Sequence, residues 1–563
     1  MFSTLSKKAP NSIFIGILLG ALSGVVYSLL IPILTGALQP VEGHLALAPL
    51  APARLFGVEI ANAPIALLFG AACVIIVACR AMSQVLLARV AMQAASDLRT
   101  DLYHRIARAP VPVLERLGSA RLITIINTDV PRIVMGAQAM PELLISAVTL
   151  IGMLGFLLYL NVDVFLFVLE CIAFGAVTYE IPLLIGRRFF VRAGNSADLL
   201  QRSVDGLIRG IKELKLSEAK RKTYFDVELA GNEEAMLDAQ KSGNAIINVA
   251  NSYGDMICFF AIGAITFIFV NYHSVQPQEM LGVVMALLYI TGPVSVILNM
   301  MPQLTVARVS FARVAAVLQE LPDEQLQAPT HARTWSTLRL NGVSYHHPAQ
   351  DEMPGFQIGP IDAEFAKGQI TFIVGGNGSG KSTLCKLITL HYQASSGSIL
   401  FDDQPVDKES MATFRQDIAA IYSDYYLFDR ILGKTVEQDL VEHYLRVLKL
   451  DAKVSYRDGK FSTLSLSDGQ RRRMALVAAF IEDKELYLFD EWAADQDPSF
   501  KEAFYHEILP SLKARGKAVI AITHDDRYFH VADQLIIMAD GKITDRRFSA
   551  QTSTSPDAQV AIA

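Results

Sequence analysis

The first three hundred residues alternate between long apolar runs and polar connections, and this pattern stops near residue 305. Apolar windows long enough to cross a bilayer centre on residues 13–34, 61–83, 137–160, 162–185, 245–270 and 280–301. A hydrocarbon core of about 30 Å takes roughly 20 apolar residues in a helix, so the pattern predicts six spanning helices. Windows three and four are parted only by Asn161 and its neighbours, and windows five and six by NYHSVQPQE, which makes those turns tight. The connections 91–135 and 186–244 are long. No proline falls between Pro64 and Pro110, and VAMQAASDLRTDLYHRIAR keeps apolar residues at helical spacing. A continuous helix there would be about 65–70 Å long at 1.5 Å per residue, more than twice the hydrocarbon core. The spanning helices are therefore expected to project beyond the membrane, with short turns near 113–121 (VLERLGSAR) and 204–215 (VDGLIRGIKELK) at their tips. A helix at such a tip can dock on a partner domain.

Charge sets the orientation. The 91–135 connection holds six arginines and 186–244 holds eleven lysines and arginines, whereas the three opposite connections hold only Arg54. Basic residues stay on the cytoplasmic side, so both long connections and both termini are expected to be cytoplasmic. The first apolar run follows two lysines, as in a signal peptide. At 22 residues without a small-residue cleavage site, it is expected to remain as a span. Acidic residues inside spans are costly and mark candidate polar contacts: Glu170, Glu180 and Asp255. Ten residues of helix turn through about 1000°, which leaves the two glutamates about 80° apart, off a common stripe. Each could pair for packing reasons, face a water-filled cavity, or touch a cationic or polar cargo.

Composition sharpens this division. Hydrophobic residues make up 52% and charged residues 19%, with a mean hydropathy of +0.33, against about 25% charged in soluble chains. Residues after about 305 have ordinary soluble composition, so the length of 563 residues accommodates a membrane part and a soluble part. With 56 acids and 50 bases, nothing points to nucleic acid. The five cysteines lack metal-ligand spacing and read as small core residues.

In the soluble part, LRLNGVSY and QITFIVG read as strands, and the second runs into GGNGSGKST and then a helix. This matches G-x-x-x-x-G-K-[ST]. Gly375, Asn377, Gly378 and Gly380 can wrap backbone N–H groups round phosphates, Lys381 can reach the outer phosphates, and Ser382, followed by Thr383, can ligate Mg²⁺. An apolar strand in KELYLFDEW ends in Asp490, suited to hold Mg²⁺ through water, and Glu491, suited to polarise an attacking water. Between them LSLSDGQRRR places Ser467, Gly469 and Gln470 at a second helix start. One nucleotide seldom needs two such starts on one chain, which points to a dimer in which each chain closes over the other's ATP.

GGNGSGKST, LSDGQRRR, LYLFDEW and AITHDD, in that order behind six spans, resemble the ATP-binding cassette exporters that join a membrane half and an ATPase half in one chain. The resemblance implies an all-α polytopic membrane domain of the type IV exporter kind followed by an α/β P-loop ATPase domain. Its expected bounds are 1–310 for the membrane domain, 311–335 for a linker, 336–550 for the ATPase domain and 551–563 for a disordered tail. It further implies ATP and Mg as cofactors, Glu491 as catalytic base and His524 as the switch histidine. Ser467, Gly469, Gln470 and Asp497 become contacts across a homodimer. Where family members have a glutamine in V-x-Q-[DE]-x-x-L-F, this chain has IYSDYYLF, leaving Ser423 or Asp424 in its place and as a candidate Mg²⁺ contact. Where an aromatic residue stacks on adenine, VSYHH places His347, with Tyr345 two residues earlier. After Glu491 stands WAADQDP where T-S-A-L-D-P is common, and Trp492 reads as packing.

These departures, with FQIGPID before the phosphate loop, look like the bacterial subgroup that exports cyclic peptides, lipopeptides and peptide siderophores. The expectation is a homodimeric exporter in the inner (cytoplasmic) membrane, in contact with membrane lipids and taking a small amphipathic or peptide cargo. The alternatives are a lipid or glycolipid flippase, or a general multidrug exporter, on the same engine. A non-transporting ATP-gated regulator would not need Glu491 and LSDGQ together, and importers of this superfamily commonly carry their two parts on separate chains.

Overall fold

The computed structural model describes residues 10–38, 53–55, 58–60, 63–268, 277–324, 326, 334–347 and 355–548. The expected tail 551–563 and most of the NYHSVQPQE connection lie outside the described residues. The chain separates into two compact units: Met1–His104 with Ala120–Gln319, and Arg105–Ser119 with Glu320–Ala563.

Six described helices are long and apolar enough to cross a membrane: Pro10–Ala37, Ala63–Arg108, Ser119–Leu160, Val162–Arg209, Glu218–Phe267 and Glu279–Glu320. The principal α-helices are α1 (Pro10–Leu38), α2 (Ala63–Arg108), α3 (Val111–Leu117), α4 (Val130–Leu160), α5 (Val162–Arg209), α6 (Ile211–Lys215), α7 (Ala230–Phe267) and α8 (Pro277–Glu320). With 46 residues, α2 is about 69 Å long, and it stops before Pro110. The tight turn expected at Asn161 is a single residue whose side chain accepts hydrogen bonds from the N–H groups of Asp163 and Val164 at 3.0 and 3.1 Å. That capping starts α5 directly after α4 ends. α5 ends at Gly210, and the short α6 follows, inside the expected 204–215 tip. α8 runs on to Glu320, so residues 311–320 of the expected linker are helical.

The first unit packs Ile31, Met153, Leu157, Val164, Val168, Ile265, Val283, Leu287 and Ile290 into one buried cluster. Many other apolar side chains, including Val74, Phe174 and Phe260, stay exposed, in keeping with helices long and apolar enough to cross a membrane. Close approach uses small residues: a methyl group added at Gly136 would overlap the Ala307 side chain, and one at Gly152 would overlap Ser28.

In the second unit, strands β1 (Thr337–His346), β2 (Gln357–Ala366), β4 (Ser396–Phe401) and β5 (Gln404–Pro405) form an antiparallel sheet in the order β2-β1-β4-β5. The second sheet holds β3 (Ile370–Gly375), β6 (Ile418–Ile421), β7 (Leu486–Asp490), β8 (Ala518–Ile522), β9 (Gln534–Ala539) and β10 (Lys542–Phe548), in the order β10-β9-β3-β8-β7-β6. All its pairings are parallel except β9 with β10. Strands β3, β7 and β8 are buried along their whole length, which accounts for their continuous apolar runs. Because neighbouring strands are parallel, the carboxyl ends of β3, β7 and β8 lie at one edge of the sheet, where open α/β sheets hold ligands.

Candidate functional site

At that edge β3 delivers the glycine loop into α9 (Lys381–Ile388). Gly375 has no room for a side chain: a methyl group there would stand 2.3 Å from the Met538 carbonyl oxygen. Gly380 has φ +97°, in the left-handed region, immediately before α9. Lys381 is buried and folds back over the loop, donating to the carbonyls of Gly375 and Gly376 at 2.8 and 2.9 Å. Burial pushes its ammonium pKa down, while the charges of Glu491 and Asp490 hold it up. Asn377, Gly378 and Ser382 are exposed, and the buried Ser379 hydroxyl has no hydrogen-bond partner among the described residues. The loop thus presents free donors to an anion at a helix N-terminus.

Strand β7 ends in Asp490, which is 3% exposed. Burial, and then the neighbouring Glu491, raise its carboxyl pKa, while Ser423 pulls it back. The Ser423 hydroxyl reaches Asp490 Oδ2 at 3.4 Å; Asp424 is exposed beside it. Of the two residues replacing the usual glutamine, Ser423 is the one bonded to the end of β7. Glu491 leaves the strand with φ +51°, and His524, just past β8, meets its carboxylate Oε1 through Nε2 at 3.0 Å. A cavity of about 420 Å³ opens beside this pair, lined also by Lys501, Thr523, Asp525 and Arg527. No three His, Cys, Asp or Glu side chains converge as a metal cage among the described residues. The exposed Ser382 hydroxyl and the buried Asp490 carboxylate are hard oxygen donors that suit Mg²⁺, which takes few protein ligands and keeps water and phosphate oxygens.

On the other side of the loop, His347 Nε2 lies 3.0 Å from Thr383 Oγ1. Tyr345 is buried, stacked on Tyr392 with ring centroids 4.5 Å apart. Of the two adenine candidates, the half-buried His347 is therefore the ring next to the phosphate loop.

The remaining predicted contacts are spent within the chain. Ser467 and Gln470 form a reciprocal cap on α10 (Asp468–Glu482): the Gln470 N–H donates to Ser467 Oγ at 3.4 Å, and the Ser467 N–H to Gln470 Oε1 at 3.2 Å. Asp497 caps the helix Pro498–Ala503, accepting from Ser499 Oγ at 2.6 Å and the Phe500 N–H at 3.0 Å. Those bonds hold its carboxyl below the usual range.

In the membrane unit Glu170 and Glu180 are both exposed on α5, and the Asp255 side chain lies outside the described residues. Among the described residues, the structure does not join Glu170 to Glu180. It instead joins two charges that sequence reasoning missed: Arg80 on α2 bonds Glu142 on α4, and Gln84 Nε2 donates to the other Glu142 oxygen at 2.7 Å. Both sit within apolar windows, near the ends nearest the long connections, and that matched depth was the available signal.

The 113–121 tip was expected to be able to dock on a partner domain; the residues that hold it were not foreseen. α3 belongs to the same unit as the ATPase residues. Its Glu115 carboxylate accepts from Lys386 Nζ at 2.7 Å and from the Tyr392 hydroxyl at 2.5 Å.

Comparison with known proteins bears on both units. Residues 12–294 match the family described as ABC transporter transmembrane region, and residues 358–494 match the family described as ABC transporter. The ATP-binding protein SyrD of Pseudomonas syringae pv. syringae is 32% identical over 472 residues, covering 81% of this chain and 83% of that protein. An ATP-dependent lipid A-core flippase of Shewanella oneidensis is 23% identical over 483 residues, covering 80% and 77%. The energy-coupling factor transporter ATP-binding protein EcfA1 of Mycoplasmopsis synoviae is 29% identical over 223 residues, covering 37% of this chain and 80% of that protein.

Proposed function

The chain belongs to the ABC transporters as a six-span membrane region joined to one ATP-hydrolysing domain, and from that premise we propose that it exports a peptide-like cargo as a homodimer. The observation that carries the engine is the meeting of three strand ends: the phosphate loop after β3, Asp490 and Glu491 at β7, and His524 after β8. In this reading Lys381 and the loop N–H groups bind the phosphates of ATP. Ser382 and Asp490 hold Mg²⁺ with Ser423 steadying Asp490, and the ion, when bound, offsets negative charge on the phosphates. Glu491 takes the proton of the attacking water, and His524 orients that carboxylate from 3.0 Å. His347 stacks on adenine.

Ser467 and Gly469 begin α10, and in a homodimer that helix start closes over the partner's ATP, where its N–H groups and dipole favour the phosphates. Asp497 approaches the partner at the same closure. No catalytic position on this chain is degenerate, which supports two working sites in two equal copies. α3, bonded through Glu115 to Lys386 on the phosphate-loop helix, supports a role in passing that closure to the spans. Basic residues concentrated in the two long connections support an ATPase domain and termini on the cytoplasmic side of a bacterial inner membrane.

For the cargo, VSYHH, IYSDYYLF, WAADQDP and FQIGPID support the cyclic peptide, lipopeptide and peptide siderophore class. A lipid cargo is the second reading, favoured by the similarity to a lipid A-core flippase over 80% of the chain. The test is ATP turnover of the purified protein in lipid nanodiscs against a panel of cyclic peptides, lipopeptides and lipids. Stimulation by a peptide class supports the proposal, and stimulation by lipids alone replaces it with the flippase.

A further inference from the structure

The helix that begins with Ser467 is fastened to the loop after Glu491 by contacts that the site as described does not use. Gln496 is 7% exposed, and its amide nitrogen donates to the Gly469 carbonyl at 3.0 Å, 27 residues away in sequence. Its amide oxygen is buried and has no hydrogen-bond partner among the described residues. Gly469 lies so close to this loop that a methyl group on it would stand 3.0 Å from the Asp495 carbonyl oxygen. One turn further on, the largely buried Arg472 forms an ion pair with Asp495 at 2.5 Å and donates to the backbone carbonyl of Glu491. The buried Trp492 returns its indole N–H to the Arg472 carbonyl at 2.9 Å.

Asp495 and Gln496 occupy positions where T-S-A-L-D-P has alanine and leucine, and neither of those side chains can make these bonds. Through Arg472 this set of contacts reaches the Glu491 carbonyl, and the φ of +51° at Glu491 is a conformation that a residue other than glycine keeps only when its surroundings enforce it.

We propose that Arg472, Asp495 and Gln496 are positioning residues that make the start of α10 and the catalytic base of the same chain one rigid body. The inference rests on the homodimer reading above. There, the start of α10 faces the partner's ATP while Glu491 serves the chain's own. Closure over one nucleotide then sets the backbone of the base at the other, and the two sites fire together.

Gln496→Leu and Asp495→Ala restore the common residues, so they test the clamp with substitutions the fold accommodates. Turnover in nanodiscs is measured against ATP concentration for the wild type, each variant and the double variant, with binding of a labelled ATP analogue in parallel. The wild type is expected to be cooperative, with a Hill coefficient approaching about 2, the number of sites. The double variant should fall toward about 1 and lose about 3- to 10-fold in kcat, the scale of one hydrogen bond. Its analogue affinity should stay within about twofold. A merely structural role would lower kcat through lost folded protein without moving the Hill coefficient. A cooperative wild type with equally cooperative variants overturns the clamp and leaves the dimer standing. A hyperbolic wild type overturns the clamp alone, and a single copy per nanodisc by mass overturns the dimer reading and the clamp with it.

Discussion

Replacing Glu115 by alanine would strand a buried tyrosine. The carboxylate of Glu115 takes both the Lys386 ammonium and the Tyr392 hydroxyl. The side chains of Lys386 and Glu115 are 25% and 42% exposed, so their ion pair contributes only about 0–1 kcal/mol, since water replaces the partner that is lost. Tyr392 is 3% exposed, and a hydroxyl deprived of its acceptor there costs about 1–3 kcal/mol. Most of the loss in Glu115→Ala should therefore pass through Tyr392, and Tyr392→Phe in the same background should recover much of it. For a domain of this size the thermal midpoint moves by about 2–4 °C per kcal/mol. The assay is a double-mutant cycle on the ATPase unfolding transition of the full chain in nanodiscs, with an expected coupling of about 1–2 kcal/mol. The same variant should weaken stimulation of turnover by cargo, because α3 is carried between two spans. Additive effects, with coupling below about 0.3 kcal/mol, would refute the reasoning.

Lys381→Ala removes the ammonium held over the phosphate loop and should weaken binding of a labelled ATP analogue by at least about tenfold; unchanged affinity would remove Lys381 from the site. Acidification should lower the thermal midpoint of the ATPase unit. His391 is bonded to Thr389 and the Tyr422 hydroxyl, and burial, followed by Arg415, pushes its pKa below the usual 6.5. The unfolded chain then binds more protons between the folded value and 6.5, so stability rises with pH there. The contribution is fully present above pH 6.5 and is lost as pH falls through the folded value; His347, depressed by burial and Lys386, adds in the same direction. His391→Gln should flatten the dependence between about pH 7.5 and 5, and an unchanged slope would assign the acid loss elsewhere.

The elements that dominate this chain were legible because their signals are local. Spans declare themselves by length, the phosphate loop by glycine spacing, and β7 by an apolar run ending in two acids. The single-residue turn at Asn161 was readable for the same reason. What escaped was set by pairing across the sequence. Arg80 and Glu142 are 62 residues apart, and an isolated charge in an apolar window does not announce its partner. Docking of the 113–121 tip was expected, but not that Glu115 of α3 carries it, meeting residues more than 270 positions away. His347 stood at the adenine position with Tyr345 as its alternative, and the stacking of Tyr345 on Tyr392 was not readable from the sequence. Ser467 and Gln470 do carry a capping pattern, S-x-x-Q, but their phosphate role overshadowed it. The bond from Gln496 to Gly469 needed the loop after β7 to fold back on α10, and WAADQDP registers in sequence only as a departure.

The most direct test of the account is steady-state ATP turnover of the wild type beside Glu491→Gln in lipid nanodiscs, with nucleotide binding measured on both. The amide keeps the size of the carboxylate and can still meet His524, so binding and fold should persist while the base is lost. Turnover should fall by about 10²–10⁴-fold, the usual contribution of a positioned general base, with ATP trapped in a closed dimer. Turnover close to wild type in Glu491→Gln would contradict the assignment of the catalytic base, and with it the engine on which the proposed export depends.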